Sequence, residues 1–177
     1  MLKNARISVL FAVMLLLGIL LSSCKIGGQS TKNVAVTTFS GTFRCIADVS
    51  ANGKAYTLDI VHLKEGESTI QFEKPSELER LSFVVKDEEI LARYGTLQSK
   101  VKASTVPETS VVRSILDMFS SVGKATVATK QGKSISLRGQ TPVGAFTLVT
   151  DSKGKPQSLF IPKLKLSAKF RGFSNQI

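Results

Sequence analysis

The sequence has no tryptophan, one histidine and two cysteines among its 177 residues. One histidine and two thiols cannot assemble a structural zinc site or a disulfide framework. A Cys/His nucleophile pair is arithmetically open only as Cys45 with His62. Also missing are a glycine-rich phosphate loop, a nucleophile elbow and a His-x-x-x-His pair. Ser-x-x-Lys spacing occurs at Ser99 with Lys102 and at Ser121 with Lys124, but neither Ser-Asp-Asn nor Lys-Thr-Gly follows. With this many serines and lysines, such matches arise by chance. The expectation is therefore no enzyme, no cofactor and no metal centre. Asp87, Glu88 and Glu89 are consecutive acids that cannot all point inward, and they read as a solvated turn. His62 shares a face with Leu58 and Ile60 and reads as a packed or hydrogen-bonded histidine.

What is present is 24 Lys and Arg against 13 Asp and Glu, a net charge of +11, with 42% hydrophobic residues. That balance excludes a disordered chain and suits one domain. Lys3 and Arg6 precede an uninterrupted apolar run over 9–21. As a helix rising about 1.5 Å per residue it spans roughly 20 Å, short of the roughly 30 Å hydrocarbon core. It reads as a signal peptide. The run ends in Leu21-Ser22-Ser23-Cys24, which resembles the bacterial lipobox. The resemblance implies cleavage after residue 23, a diacylglyceryl group on the Cys24 thiol, and membrane anchoring through palmitate-type acyl chains in the extracytoplasmic envelope. Residues 24–38 then read as a polar, lipidated tether without a helical stripe, and 39–177 as the folded domain. With Cys24 committed to lipid, Cys45 is expected to be a small buried hydrophobe.

From Phe39 onward the pattern is mostly strand. Phe43, Cys45, Ala47 and Val49 alternate with polar residues, Ile46 being the exception, and Asn52-Gly53 marks a hairpin turn into 55–63, where Tyr56, Leu58, Ile60 and His62 share a face. Further strands are expected near 70–72, 81–85, 90–94, 96–102, 125–129, 134–138, 144–150, 157–162 and 163–170. One segment differs. After Pro107, Val111, Val112, Ile115, Leu116, Phe119 and Val122 fall at helical spacing, with Thr109 or Ser110 as a cap and Gly123 closing the end in a left-handed conformation. At about 13 residues this helix is too short to stand alone and must pack on the sheet. The fold class is α+β, mostly β: a strongly curved antiparallel half-barrel of about nine to eleven strands on one main helix.

A strand ending in Phe72-x-x-Pro75, an acidic turn, a strand ending in Tyr94 and then Pro107 leading a helix resemble the LolA/LolB-like superfamily over about 39–173. The resemblance implies a half-open curved sheet wrapped over helices around an apolar cavity. Phe72, Phe83, Ile115, Leu116, Phe119, Phe146 and Phe160 are the expected lining. Carriers of that superfamily typically start with an amphipathic helix, which 25–38 does not show, so a sheet face is left that a second copy could cover as a homodimer. The implied roles are a non-catalytic binding or scaffold lipoprotein, a lipid or lipoprotein carrier, or a partner of a wall-modifying enzyme in spore germination.

Charge is unevenly distributed. Residues 24–123 hold 12 bases and 12 acids, whereas 124–177 hold 10 bases and only Asp151. Lys163, Lys165, Lys169 and Arg171 are expected to share the polar face of the last strand and to dock on an anionic lipid surface, wall polymer or acidic protein. Nucleic acid is disfavoured, because export separates the chain from it and no exposed aromatic stacking pattern is present.

Overall fold

The computed structural model of the chain describes residues 33–34, 36–102, 107–125 and 127–176. The signal segment and Cys24 lie outside the described residues. Eleven strands follow one another: β1 (Phe43–Ala51), β2 (Lys54–His62), β3 (Glu67–Lys74), β4 (Leu81–Lys86), β5 (Glu89–Tyr94), β6 (Leu97–Val101), β7 (Val127–Gln131), β8 (Ser134–Thr141), β9 (Gly144–Asp151), β10 (Pro156–Ile161) and β11 (Leu166–Ser174), with helix α1 (Pro107–Ser121) between β6 and β7. They form one antiparallel sheet in the order β6-β5-β4-β3-β2-β1-β11-β10-β9-β8-β7. Two meanders thus meet where the first strand pairs with the last, and the sheet stays unclosed, a half-barrel curved on α1. Period-two alternation builds it: Phe43, Cys45, Ala47, Val49 and Ala51 of β1 are buried while Arg44, Asp48 and Ser50 are exposed. Asn52 and Gly53 take positive φ of 51° and 81°, the conformation a two-residue hairpin loop needs.

The buried face and α1 form one core. Val111, Val112, Ile115, Met118 and Phe119 of α1, followed by Val122, meet Leu58, Ile60, Phe72 and Phe83 from one meander and Leu137, Phe146, Leu148 and Ile161 from the other. The helix ends differ from expectation. Thr109 lies within α1, its buried hydroxyl unpartnered among the described residues. Gly123 is not left-handed; the chain leaves α1 through a 3-10 turn over Val122–Lys124.

Two further corrections matter for function. Residues 33–34 and 36–39 are helical, where a polar tether without a helical stripe was expected up to residue 38. This segment fully buries Phe39, which stacks on Phe119 at 5.1 Å and meets Phe43 edge-on at 6.0 Å, and it packs Val36 partly against the core. It packs at one end of the core against Phe43, Phe119 and Phe173, so helical residues stand ahead of β1 where none were expected. The second correction falls on 163–165. Pro162–Leu164 is a 3-10 turn and Lys165 is left-handed at φ 46°, so β11 begins only at Leu166.

Candidate functional site

Register assigns every side chain to one of two faces and two ends. At the end where β1 starts and β2 finishes lie the β7–β8 and β9–β10 turns, brought side by side by the pairing of Ser134 with Asp151. At the opposite end lie the β1–β2 turn, the start of α1 and the Pro162–Leu164 turn. Lys163 and Lys165 therefore stand at one end, with Lys163 against the β8–β9 turn beside Gly144. Lys169 and Arg171 are on the sheet face that turns away from α1. The four residues do not share one strand face. Arg171 is also engaged: its Nε donates to Asp48 Oδ2 at 3.1 Å, and this hydrogen bond is the main reason the Asp48 carboxyl is held below its usual range.

The seven residues expected around a cavity separate in the same way. Phe72, Phe83, Ile115 and Phe146 are fully packed in the core. Leu116 and Phe119 wall a recess of about 270 Å³ between α1 and β2–β4, with His62, Ser68, Asp87, Arg113 and Asp117. Phe160 is on the other face altogether and is 49% exposed. The register shift between Pro156 and Ser158 sets the parity of β10: Leu159 and Ile161 point inward and Phe160 outward.

The polar groups of the recess form local contacts. His62 Nδ1 and Ser68 Oγ are 2.8 Å apart, while burial pushes the imidazole pKa below its usual value. This Ser–His pair escaped sequence reading because the β2–β3 register, with His62 opposite Ser68, creates it. Ser68 is itself buried, and its hydroxyl is engaged by the His62 ring at the back of the recess. Asp117 accepts an ion pair from Arg113 Nε at 2.8 Å, but burial is the larger influence and raises its pKa. Arg113 also donates to the Asp87 carbonyl at 2.9 Å, which ties α1 to the β4–β5 turn. Cys45 is fully buried and its thiol is pushed up to about 12 by desolvation; it lies opposite Ile60, whereas His62 lies opposite Phe43. Its thiolate is thus withheld. Among the described residues, no group of three His, Cys, Asp or Glu side chains is placed to hold a metal ion.

A groove of about 590 Å³ lies on the face away from α1, crossing β2, β1, β11, β10 and β9. Small side chains make its floor: Ser50, Ala55, Ser158 and Ser167. Phe160, Thr147 and Val149 form one wall, and Lys74, Thr57, Asp48 and Lys169 the other. Thr57 Oγ1 donates to Asp48 Oδ1 at 3.0 Å, which with the Arg171 contact leaves Lys74 and Lys169 as the cations bordering the groove. A second opening, about 370 Å³, lies between the start of α1 and the β1–β2 turn, lined by Tyr56, Val111, Leu164 and Leu166, with Glu108 bridging Tyr56 and Lys54 beside it.

The chain matches no protein-family model, and no curated protein matches it in sequence. Its fold does have counterparts among solved structures. An uncharacterized conserved protein from Thermus thermophilus superposes with a TM-score of 0.52 at 13% identity, covering 82% of this chain and 85% of that one. A LolA superfamily protein from Nitrosomonas europaea, the superfamily whose pattern the sequence resembles, superposes at 0.45 with 7% identity over 85% of this chain and 94% of that one. A DUF1329 family protein from Desulfovibrio piger does so at 0.44 with 8% identity, over 84% and 93% respectively. At these identities the likeness is one of fold.

Proposed function

We propose that this protein is a bacterial envelope lipoprotein, exported by residues 1–23, anchored through Cys24 and acting by binding rather than catalysis. The folded domain of 39–177 carries the binding role. The observation that carries this reading is an open groove on the face away from α1, built around a half-exposed phenylalanine, while Phe72, Phe83, Ile115 and Phe146 fill the core beneath α1. An exposed aromatic beside a trough of small side chains offers an anchor point, and Lys74 and Lys169 favour a partner bringing a carboxylate. The partner that fits is a protein segment placing an apolar side chain on Phe160 and an acidic one beside Lys169.

A photo-crosslinking amino acid in place of Phe160, in the intact envelope, is expected to trap a protein that the same substitution at Thr129 on β7 does not. Equal, background-level trapping at both positions overturns the binding role of the groove. Anchoring is tested separately. Cys24→Ala is expected to abolish incorporation of labelled palmitate and to leave an unprocessed precursor; unchanged mass and labelling would refute it.

Lipid carriage is supported by one observation, the 370 Å³ opening beside the start of α1, which falls within the size range of small-ligand sites. Co-purified lipid that disappears in Val111→Trp would favour carriage, and lipid-free protein would dismiss it.

A further inference from the structure

The end of the half-barrel from which the tether leaves is basic. The chain enters the fold at 33–34, and Val34 is seated on the β9–β10 turn. A side chain at Gly154 would come within 2.9 Å of the Val34 carbonyl oxygen and 2.7 Å of Thr38 Oγ1, and Thr38 Oγ1 also donates to the Lys153 carbonyl at 3.4 Å. Exposed Lys153 and Lys155 flank this seat, and the adjacent β7–β8 turn presents exposed Lys133. The 3-10 turn after α1 lies there too, since a side chain at Gly123 would meet Val36 Cγ1 at 3.9 Å, and it carries exposed Lys124. The one acid among these elements, Asp151, is turned inward on its own loop. Its Oδ1 accepts the backbone N–H groups of Lys153 at 2.8 Å and Lys155 at 2.9 Å. Among the described residues, none of the four lysines has a carboxylate within ion-pair distance.

Asn33 is nine positions after Cys24. Fully extended, that stretch reaches at most about 30 Å. An acyl group at Cys24 would therefore hold this end of the domain close to the membrane, where an anionic surface acts within a Debye length of about 8–10 Å. We infer that Lys124, Lys133, Lys153 and Lys155 form a face that rests on the anionic lipid headgroups of the anchoring membrane. This rests on the anchoring proposed above. The same end of the other meander carries Glu65, Glu67, Asp87, Glu88 and Glu89 against Lys64, Lys86, Lys100 and Lys102, with Lys100 paired to Glu89 at 2.8 Å, so it offers no comparable positive excess and the domain rests on the side of the second meander. Lys163 and Lys165, at the opposite end, face away from the bilayer.

The test uses the full mature chain reconstituted in vesicles, with a fluorophore on Ser152→Cys or, as a control, Thr96→Cys at the opposite end. Buried Cys45 and acylated Cys24 do not take the label. Headgroup-attached quenchers are expected to quench the Ser152 probe at least about twofold more in vesicles containing about a third phosphatidylglycerol than in phosphatidylcholine alone. The excess should vanish in about 0.5 M NaCl and in the variant with all four lysines changed to Gln, and the Thr96 probe should not respond. Equal quenching on neutral and anionic vesicles, or none on either, overturns the docking. So does retention on an anionic wall polymer with the probe far from lipid. Flotation with vesicles in high salt reports the acyl anchor independently. If that fails, the anchoring reading is lost, and docking is decided by flotation of the same chain at low salt, where absence of any phosphatidylglycerol dependence overturns it.

Discussion

The two meanders that meet at the β1–β11 pair solve the same problem inside and opposite problems outside. Both present a continuous apolar face to α1: Leu58, Ile60, Ile70 and Phe72 on one side, Leu137, Leu148, Leu159 and Ile161 on the other. Their outer surfaces diverge. From 43 to 101 the chain carries eight bases and ten acids, and Arg44 with Asp59 and Lys100 with Glu89 pair at 2.6 and 2.8 Å. From 127 to 174 there are nine bases and one acid. The first meander cancels its own field, while the second depends on its neighbour even for the Arg171–Asp48 contact. Exposed ion pairs add little to stability, so the fold does not require this asymmetry. What the asymmetry supplies is a positive potential over the second meander.

The similarity of the interiors can be broken by single substitutions. The largest expected effect is Phe72→Ala in the first meander, which empties a fully buried site in edge contact with Tyr56 and Phe83 at 5.6 and 6.0 Å. A loss of about 3–5 kcal/mol, read from denaturant unfolding, is expected. The second meander packs differently. Its Phe146 ring lies over Gly139, where a methyl group would come within 2.6 Å of the ring. Gly139→Ala should cost about 1–3 kcal/mol through overpacking, and Phe146→Leu should relieve part of that cost in the double variant. Additive losses would show that the ring does not fill the glycine's place. Next comes Gly154→Ala. At φ 82° a side chain is strained by roughly 1–2 kcal/mol, and here it also presses on Val34. Hydrogen exchange at 36–39 should accelerate selectively.

The smallest effect sharpens the comparison by pH. The only histidine, His62, is in the first meander, half-buried beside the Phe43 ring, and burial lowers its pKa from 6.5. The unfolded chain therefore takes up this proton first. Stability should be complete above about pH 6.5, decline as pH falls below it, and level off beneath the folded-state pKa. His62→Gln should flatten that slope in unfolding midpoints measured across this range. A slope that persists would place its origin elsewhere.

Much of this architecture could be read from spacing alone, for a physical reason. Strands with one dry face must alternate, so Phe43 to Val49 announced both the strand and the face that is buried, and Asn52-Gly53 announced the turn because few other residues tolerate two successive positive φ values. Reading failed where a pattern admitted two periods or none. Leu159, Phe160 and Ile161 are three apolar residues in a row, so only the register shift decides that Phe160 faces out. Lys163, Leu164 and Lys165 continue the alternation of β11 by coincidence. Pro162 has no N–H to donate to a ladder, and a 3-10 turn takes these residues instead. The helical residues ahead of β1 escaped because they are too few to show a repeating stripe, and Phe39, Val36 and Thr38 seat them by contacts distant in sequence. The groove was illegible because Ser50, Ala55, Ser158 and Ser167 are ordinary until register aligns them on four strands.

Joining the first strand to the last has a consequence in time. Each meander is a run of hairpins whose partners are close in sequence and can pair as soon as they exist. The seam between them cannot: Asp48 waits for Arg171, 123 residues later. A chain made from its amino end therefore holds two half-sheets in waiting, each with an open central edge and an uncovered apolar face. Only the arrival of β11 joins them. Loss of the last ten or so residues should thus act as an assembly defect of the whole molecule, leaving two meanders that cannot close on each other.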